Sequence, residues 1–244
     1  MTTIDRDPLL VLWDVDQTLL EVWSATQRAY ASAFRRATGR TLQQPWQFEG
    51  RTELAAVQGV LLAHGIEASQ ALVGSFLELI VDELSDQADL MRRTGRVLPG
   101  ADNALRACAA VPGVCQSLLT GNLYQLALLK MTVFGLGDHV DMRIGAFGGD
   151  SVDRMDLPSH AWRRAEQHLG HRFRGSDTVI IGDTLLDVAT GKAAGARVIA
   201  VATGRVDATQ LQAAGADVVL PDLTDTRALV EAVLASRSPR AERL

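Results

Sequence analysis

Lysine is almost absent: the 244 residues contain Lys130 and Lys192 and no other. Cysteine is as scarce. Cys108 and Cys115 have neither close ligand spacing nor paired histidines, so they read as buried free thiols in a reducing, cytoplasmic setting. His64, His139, His160, His168 and His171 show no metal-ligand spacing. No stretch reaches the roughly 20 apolar residues that span a bilayer, and Met1 to Pro8 carries no apolar signal-peptide core, so no membrane partner is expected. Basic blocks are missing too. The formal charge is −5, which gives no argument for nucleic acid as a partner. There is no internal repeat or low-complexity segment. A hydrophobic content of 47% excludes a disordered chain and suffices for a core.

What is present alternates. Leu9 to Trp13 reads as a buried strand that ends in two acids. Helical patterns follow over Glu21–Thr38, Glu53–His64 and Ser69–Leu90, with Gly39 and Gly65 as stops and Gly50 as a turn; Pro45 to Thr52 reads as irregular. From Leu98-Pro99-Gly100 onward, strands are expected at Val114–Leu119, Met142–Phe147, Thr178–Ile181, Arg197–Ala202 and Asp217–Leu220. Helices are expected between them, and the Arg-containing tail from Ala235 should fray. The pattern implies an α/β fold: a Rossmann-like, doubly wound parallel sheet with an inserted all-helical cap domain. The expected core domain is 1–20 and 95–244, and the cap is 21–94.

Ligands of open α/β sheets bind beyond the carboxyl ends of the strands. Three polar clusters occupy such positions: Asp14-Val15-Asp16-Gln17-Thr18-Leu19, Thr120-Gly121-Asn122, and Gly182-Asp183-Thr184-Leu185-Leu186-Asp187. Paired acids at the tip of a buried strand repel each other and lose solvation. A divalent cation offsets both costs, and an all-oxygen donor set suits Mg²⁺. Thr120-Gly121-Asn122 offers a hydroxyl, open amides and a side-chain amide to phosphate oxygens. Each cluster alone has a bland reading: a capping turn for Asp14 and Asp16, an ordinary turn for Thr120 to Asn122, a helix cap for Asp183, and a solvated helix charge for Asp187.

In this order and on these elements the three motifs resemble the haloacid dehalogenase superfamily, over nearly the whole chain. The resemblance implies that Asp14 is a nucleophile forming an aspartyl-phosphate, and that Asp16 is the general acid and then base, with its backbone carbonyl also on the metal. It implies that Thr120, Gly121 and Asn122 hold phosphate, and that Asp183 and Asp187 complete the Mg²⁺ site. Thr18 would order the loop. The acid at position 16 favours phosphoryl transfer over dehalogenation. The implied enzyme is a Mg²⁺-dependent phosphatase acting on a small phosphorylated metabolite, as monomer or homodimer. A phosphomutase, a haloacid dehalogenase and an inactive binding module remain open alternatives.

Two positions depart from the family pattern. Gln17 stands where glycine is usual, and is tolerable there at negative φ. The family also places a basic residue, usually lysine, between the second and last motifs. Lys130 lies roughly 12 Å along the helix after Asn122 and Lys192 lies past the last motif, so neither fits. Arg154, before Leu157-Pro158, is the candidate, with a surface salt bridge as its bland reading. Arg51 sits where a cap loop would dip over the site and is the candidate for reading substrate.

Overall fold

The computed structural model describes residues 8–43 and 50–235. β1 (Leu9–Trp13) is buried along its whole length. Leu9, Val11 and Trp13 face the larger core cluster, whereas Leu10 and Leu12 face a second one. A strand covered on both sides has no position for a polar residue, which is why its sequence is continuously apolar. After the acidic turn come β2 (Leu20–Glu21) and α1 (Trp23–Thr38), which stops where Gly39 takes φ 69° and donates its N–H to Arg35 O. α2 (Glu53–Ala63) and α3 (Gln70–Asp86) start at Thr52 and Ser69, whose side chains accept from Ala55 N and Leu72 N. α4 (Ala88–Thr94) follows a break at Gln87, so the single helix expected over Ser69–Leu90 is two.

β3 (Arg96–Val97) returns antiparallel to β2, pairing Leu20 with Val97 and Glu21 with Arg96. Strands this short have no periodicity to detect, so the sequence gives no sign of them. The helices between β2 and β3 pack on one another through residues such as Phe34 and Phe76, whose rings meet edge-on at 5.9 Å.

From there strand and helix alternate: α5 (Ala101–Ala109), β4 (Val114–Leu118), α6 (Tyr124–Val133), α7 (Leu157–Leu169), β5 (Thr178–Gly182), α8 (Leu185–Ala193), β6 (Arg197–Val201), α9 (Ala208–Ala213), β7 (Val218–Leu220) and α10 (Thr226–Leu234). The strands form one parallel sheet in the order β4-β1-β5-β6-β7, the expected α/β class. Met142–Phe147 is not a strand. It holds one helical turn, Met142–Ile144, and a single bridge from Ala146 to Leu119. Asp141 accepts from Arg143 N and caps that turn, which diverts the backbone from a ladder.

The thiols of Cys108 and Cys115 are free, and burial pushes Cys108 up to about 12. Among the described residues no helix is long and apolar enough to cross a membrane. The expected tail beyond Ala235 and most of the irregular stretch Pro45–Thr52 lie outside the described residues. β1 has β4 on one side and β5 on the other, so the chain passes over it to continue the sheet. That switch point opens a crevice at the carboxyl ends of β1, β4 and β5, where all three polar clusters lie.

Candidate active site

Asp14 leaves β1 with its N–H still bonded to Ile181 O at 2.8 Å, so the sheet itself fixes it. Asp183 leaves β5 and accepts from Thr18 Oγ1 at 3.1 Å. Asp187 is the third residue of α8, where a capping box forms: its Oδ2 accepts from Thr184 N (3.0 Å) and Thr184 Oγ1 (2.6 Å), and its own N–H donates to Thr184 Oγ1. One carboxylate oxygen from each of Asp14, Asp183 and Asp187 lies within 4.8 Å of the other two, and all three residues are buried.

Burial, the charge of Asp187 and, in smaller part, that of Asp16 push the Asp14 carboxyl up to about 7, against the pull of Arg154. Burial and its neighbours Asp14 and Asp187 push Asp183 well above the usual carboxylate range. The cluster therefore holds more negative charge than Arg154 can balance. Three buried oxygen donors fit a hard divalent cation such as Mg²⁺. Gly204 closes one side: a Cβ there would stand 1.9 Å from Asp183 Oδ2.

Arg154 lies on a single helical turn, Arg154–Asp156, which Asp153 caps by accepting from Met155 N. It is only 4% exposed. Nη2 donates to Asp14 Oδ1 (3.1 Å), to Asp187 Oδ1 (2.5 Å) and, at 3.4 Å, to Leu119 O; Nη1 donates to Gly50 O at 2.7 Å. A solvated surface pair is thereby excluded. The guanidinium fork joins two strand tips and the loop before α2 in a way a point charge cannot.

Asp16 belongs to a different set. Its side chain is 40% exposed, and its Oδ2 accepts from Lys130 Nζ (2.6 Å) and Asn122 Nδ2 (2.8 Å). Lys130 Nζ also donates to Asn122 Oδ1 at 2.6 Å, and Asn122 Nδ2 to Thr120 Oγ1 at 2.8 Å. Arg154 is the cation on Asp14, but the expectation that distance keeps Lys130 away from the site as a whole fails, since Nζ reaches Asp16. That distance is the rise of the Cα along the helix, whereas a long helical side chain points back toward the N-terminus and recovers much of it. Asn122 also differs from its expected part: its amide is occupied by Asp16, Thr120 and Lys130 rather than facing outward toward a phosphate.

Gly121 and Gly148 bring the segment before α2 against this floor. Glu53 N donates to Gly121 O (2.9 Å), Leu54 N to Gly148 O (3.3 Å) and Thr52 Oγ1 to Val152 O (2.9 Å). A Cβ on Gly121 would stand 2.1 Å from Arg51 O, and one on Gly148 1.7 Å from Gly121 O. Only glycine permits so close an approach. Arg51 thus meets the site through its backbone, while its Nη1 lies toward Gly59 on α2.

Sequence reasoning missed Tyr30 and Glu53. The buried Glu53 carboxylate accepts from Tyr30 Oη, and burial pushes it up to about 7 although Lys130 pulls it down. The only sign in the sequence was an acid directly after an N-capping threonine.

Gln17 has φ 64°, so the condition of negative φ fails. It keeps the left-handed turn that glycine would adopt, at a cost of about 1–2 kcal/mol. The turn is held by Gln17 N donating to Leu20 O (2.8 Å) and by Thr203 Oγ1 donating to Gln17 O (2.5 Å).

Comparison with known proteins adds three findings. Residues 157–226, from α7 to the start of α10, match the HAD-hydrolase-like family model. The chain is 28% identical over 251 residues to "Probable phosphatase IndB" of Dickeya dadantii (strain 3937), covering 94% of this chain and 97% of that protein. Among solved structures it is similar to a β-phosphoglucomutase from Clostridium difficile (TM-score 0.70, 12% identity, 94% and 98% of the two chains). A hydrolase from Pseudomonas syringae is similar as well (TM-score 0.68, 18% identity, 91% and 98%). At these identities the structural likenesses show the fold.

Proposed function

We propose that the chain, which is similar to haloacid dehalogenase-like phosphatases, hydrolyses a small phosphate monoester with Mg²⁺ through an aspartyl-phosphate on Asp14. The observation that carries this reading is the separation of two acids. Asp14 is packed into the three-carboxylate cluster with Arg154, while Asp16 is held apart, half-exposed, by Lys130 and Asn122. A double displacement needs such a division between a nucleophile and a proton donor.

The carboxylate of Asp14 attacks phosphorus and the bond to the leaving oxygen breaks, while Asp16 gives that oxygen a proton. Asp16 then takes a proton from water, which attacks phosphorus and frees Asp14. Arg154 orients Asp14 and offers positive charge to the transferring group. Thr120 and the backbone of Gly121 line the phosphate seat. Asp14, Asp183, Asp187 and the carbonyl of Asp16 would hold the ion, which supplies neutralising charge for nucleophile and phosphate when bound. Residues 21–94 are the cap and 1–20 with 95–244 the catalytic domain. A lid docked by Glu53, Leu54 and Gly50 suits a metabolite-sized substrate, and the relative described as a phosphatase supports the same class.

The test is release of inorganic phosphate from p-nitrophenyl phosphate with and without Mg²⁺. Release should require the ion and should drop to background in Asp14→Asn; an Asp14→Asn protein of full activity removes the nucleophile from this reading. Isomerised sugar phosphate in place of inorganic phosphate would indicate a mutase.

A further inference from the structure

Lys130 is among the largest fully buried side chains and is one of only two lysines in the chain. An ammonium taken out of water is expensive unless paired, and an apolar side chain of that size would suit a buried position on α6 better. Its contacts account for its presence. Nζ lies 2.6 Å from Asp16 Oδ2 and 2.6 Å from Asn122 Oδ1, and Asn122 returns a second bond to the same Oδ2 at 2.8 Å. The three side chains close a ring anchored to Thr120.

Both donors fall on one carboxylate oxygen of Asp16. Among the described residues the other oxygen, Oδ1, accepts no hydrogen bond. Arg154 serves Asp14 and Asp187. The two buried cations of the site are thus divided between the two acids.

We infer that Lys130, with Asn122, is a positioning residue that clamps Oδ2 of Asp16 and leaves Oδ1 as the atom that exchanges the proton. The inference rests on the reading of Asp16 as general acid and base. In the first step the proton passes from Oδ1 to the leaving oxygen as the P–O bond breaks. Negative charge then spreads onto Oδ2, where the ammonium and amide already stand, so both bonds strengthen as the proton departs. In the second step water returns a proton to Oδ1. Lys130 touches no reacting atom.

A clamp on the acid should matter most when the leaving group is a poor one. In Lys130→Met, kcat/KM for phenyl phosphate should fall at least about tenfold further than for p-nitrophenyl phosphate, whose leaving group needs little help from an acid. On an Asp16→Asn background, Lys130→Met should cost nothing more, because the clamp has lost its object. Asn122→Ala removes one donor while keeping the buried ion pair, and should skew the two substrates the same way. Equal losses on both substrates, or additive losses with Asp16→Asn, overturn the inference. Turnover is not needed for a further check: in a crystal structure of Lys130→Met the Asp16 side chain should leave its present rotamer, and an unmoved carboxylate would refute the clamp. A failure of either check leaves the Asp14→Asn result standing, so the positioning role and the proposed function fall separately.

Discussion

At the scale of single residues, the site turns on how few cations serve many acids. Arg154 reaches Asp14, Asp187 and the Gly50 carbonyl with two nitrogens. A lysine in its place has one compact ammonium and cannot span these partners. Arg154→Lys should therefore retain some phosphate release but lose about 10–100-fold in kcat/KM, or about 1.4–2.8 kcal/mol, measured with p-nitrophenyl phosphate. Activity equal to wild type would mean that charge alone suffices there. The motif acids Asp14, Asp16, Asp183 and Asp187 were legible because acids at the ends of apolar runs are chemically conspicuous. Lys130 was not, because in sequence a buried lysine looks like any helical lysine and its partner Asp16 is 114 residues away.

At the scale of elements, the approach of Arg51 and the start of α2 to the Gly121 and Gly148 loops depends on absent side chains. Gly148 leaves no room for a Cβ against Gly121 O at 1.7 Å. Gly148→Ala must push the two loops apart and break the Glu53–Gly121 and Leu54–Gly148 bonds. The expected cost is about 1–3 kcal/mol of stability, read from the urea midpoint, together with a higher KM. An unchanged midpoint and KM would show that the loops part freely. The long strands and helices were readable from periodicity. The Gln87 break and the β2–β3 ladder were not, because each involves one or two residues whose pairing is decided across the fold.

At the scale of the molecule, the buried acids couple stability to pH and, on the proposed reading of the site, to Mg²⁺. Asp14 and Glu53 are raised to about 7 in the folded chain, above their ordinary values of 3.8 and 4.5. Between those limits the folded state binds more protons than the unfolded one, so the metal-free protein loses stability as pH rises from the ordinary carboxylate range toward neutrality. Mg²⁺ needs ionised ligands, so its stabilisation has the opposite trend. The rise in Tm on adding Mg²⁺ should be larger at about pH 8 than at about pH 5.5, by several degrees at saturating ion for a chain of this size. It should vanish in Asp183→Asn. A shift independent of pH would count against carboxylates as ligands.

The sequence alone determined the fold class and the order of the three motifs, since both follow from local rules: a strand covered on both faces must be apolar, and acids must then wait for its end. The tertiary structure decided which cation serves which acid. It drew Arg154 onto Asp14 and Asp187 and buried Lys130 beneath Asp16, because those pairings depend on the packing of elements far apart in the chain and on the direction in which a long side chain leaves its helix.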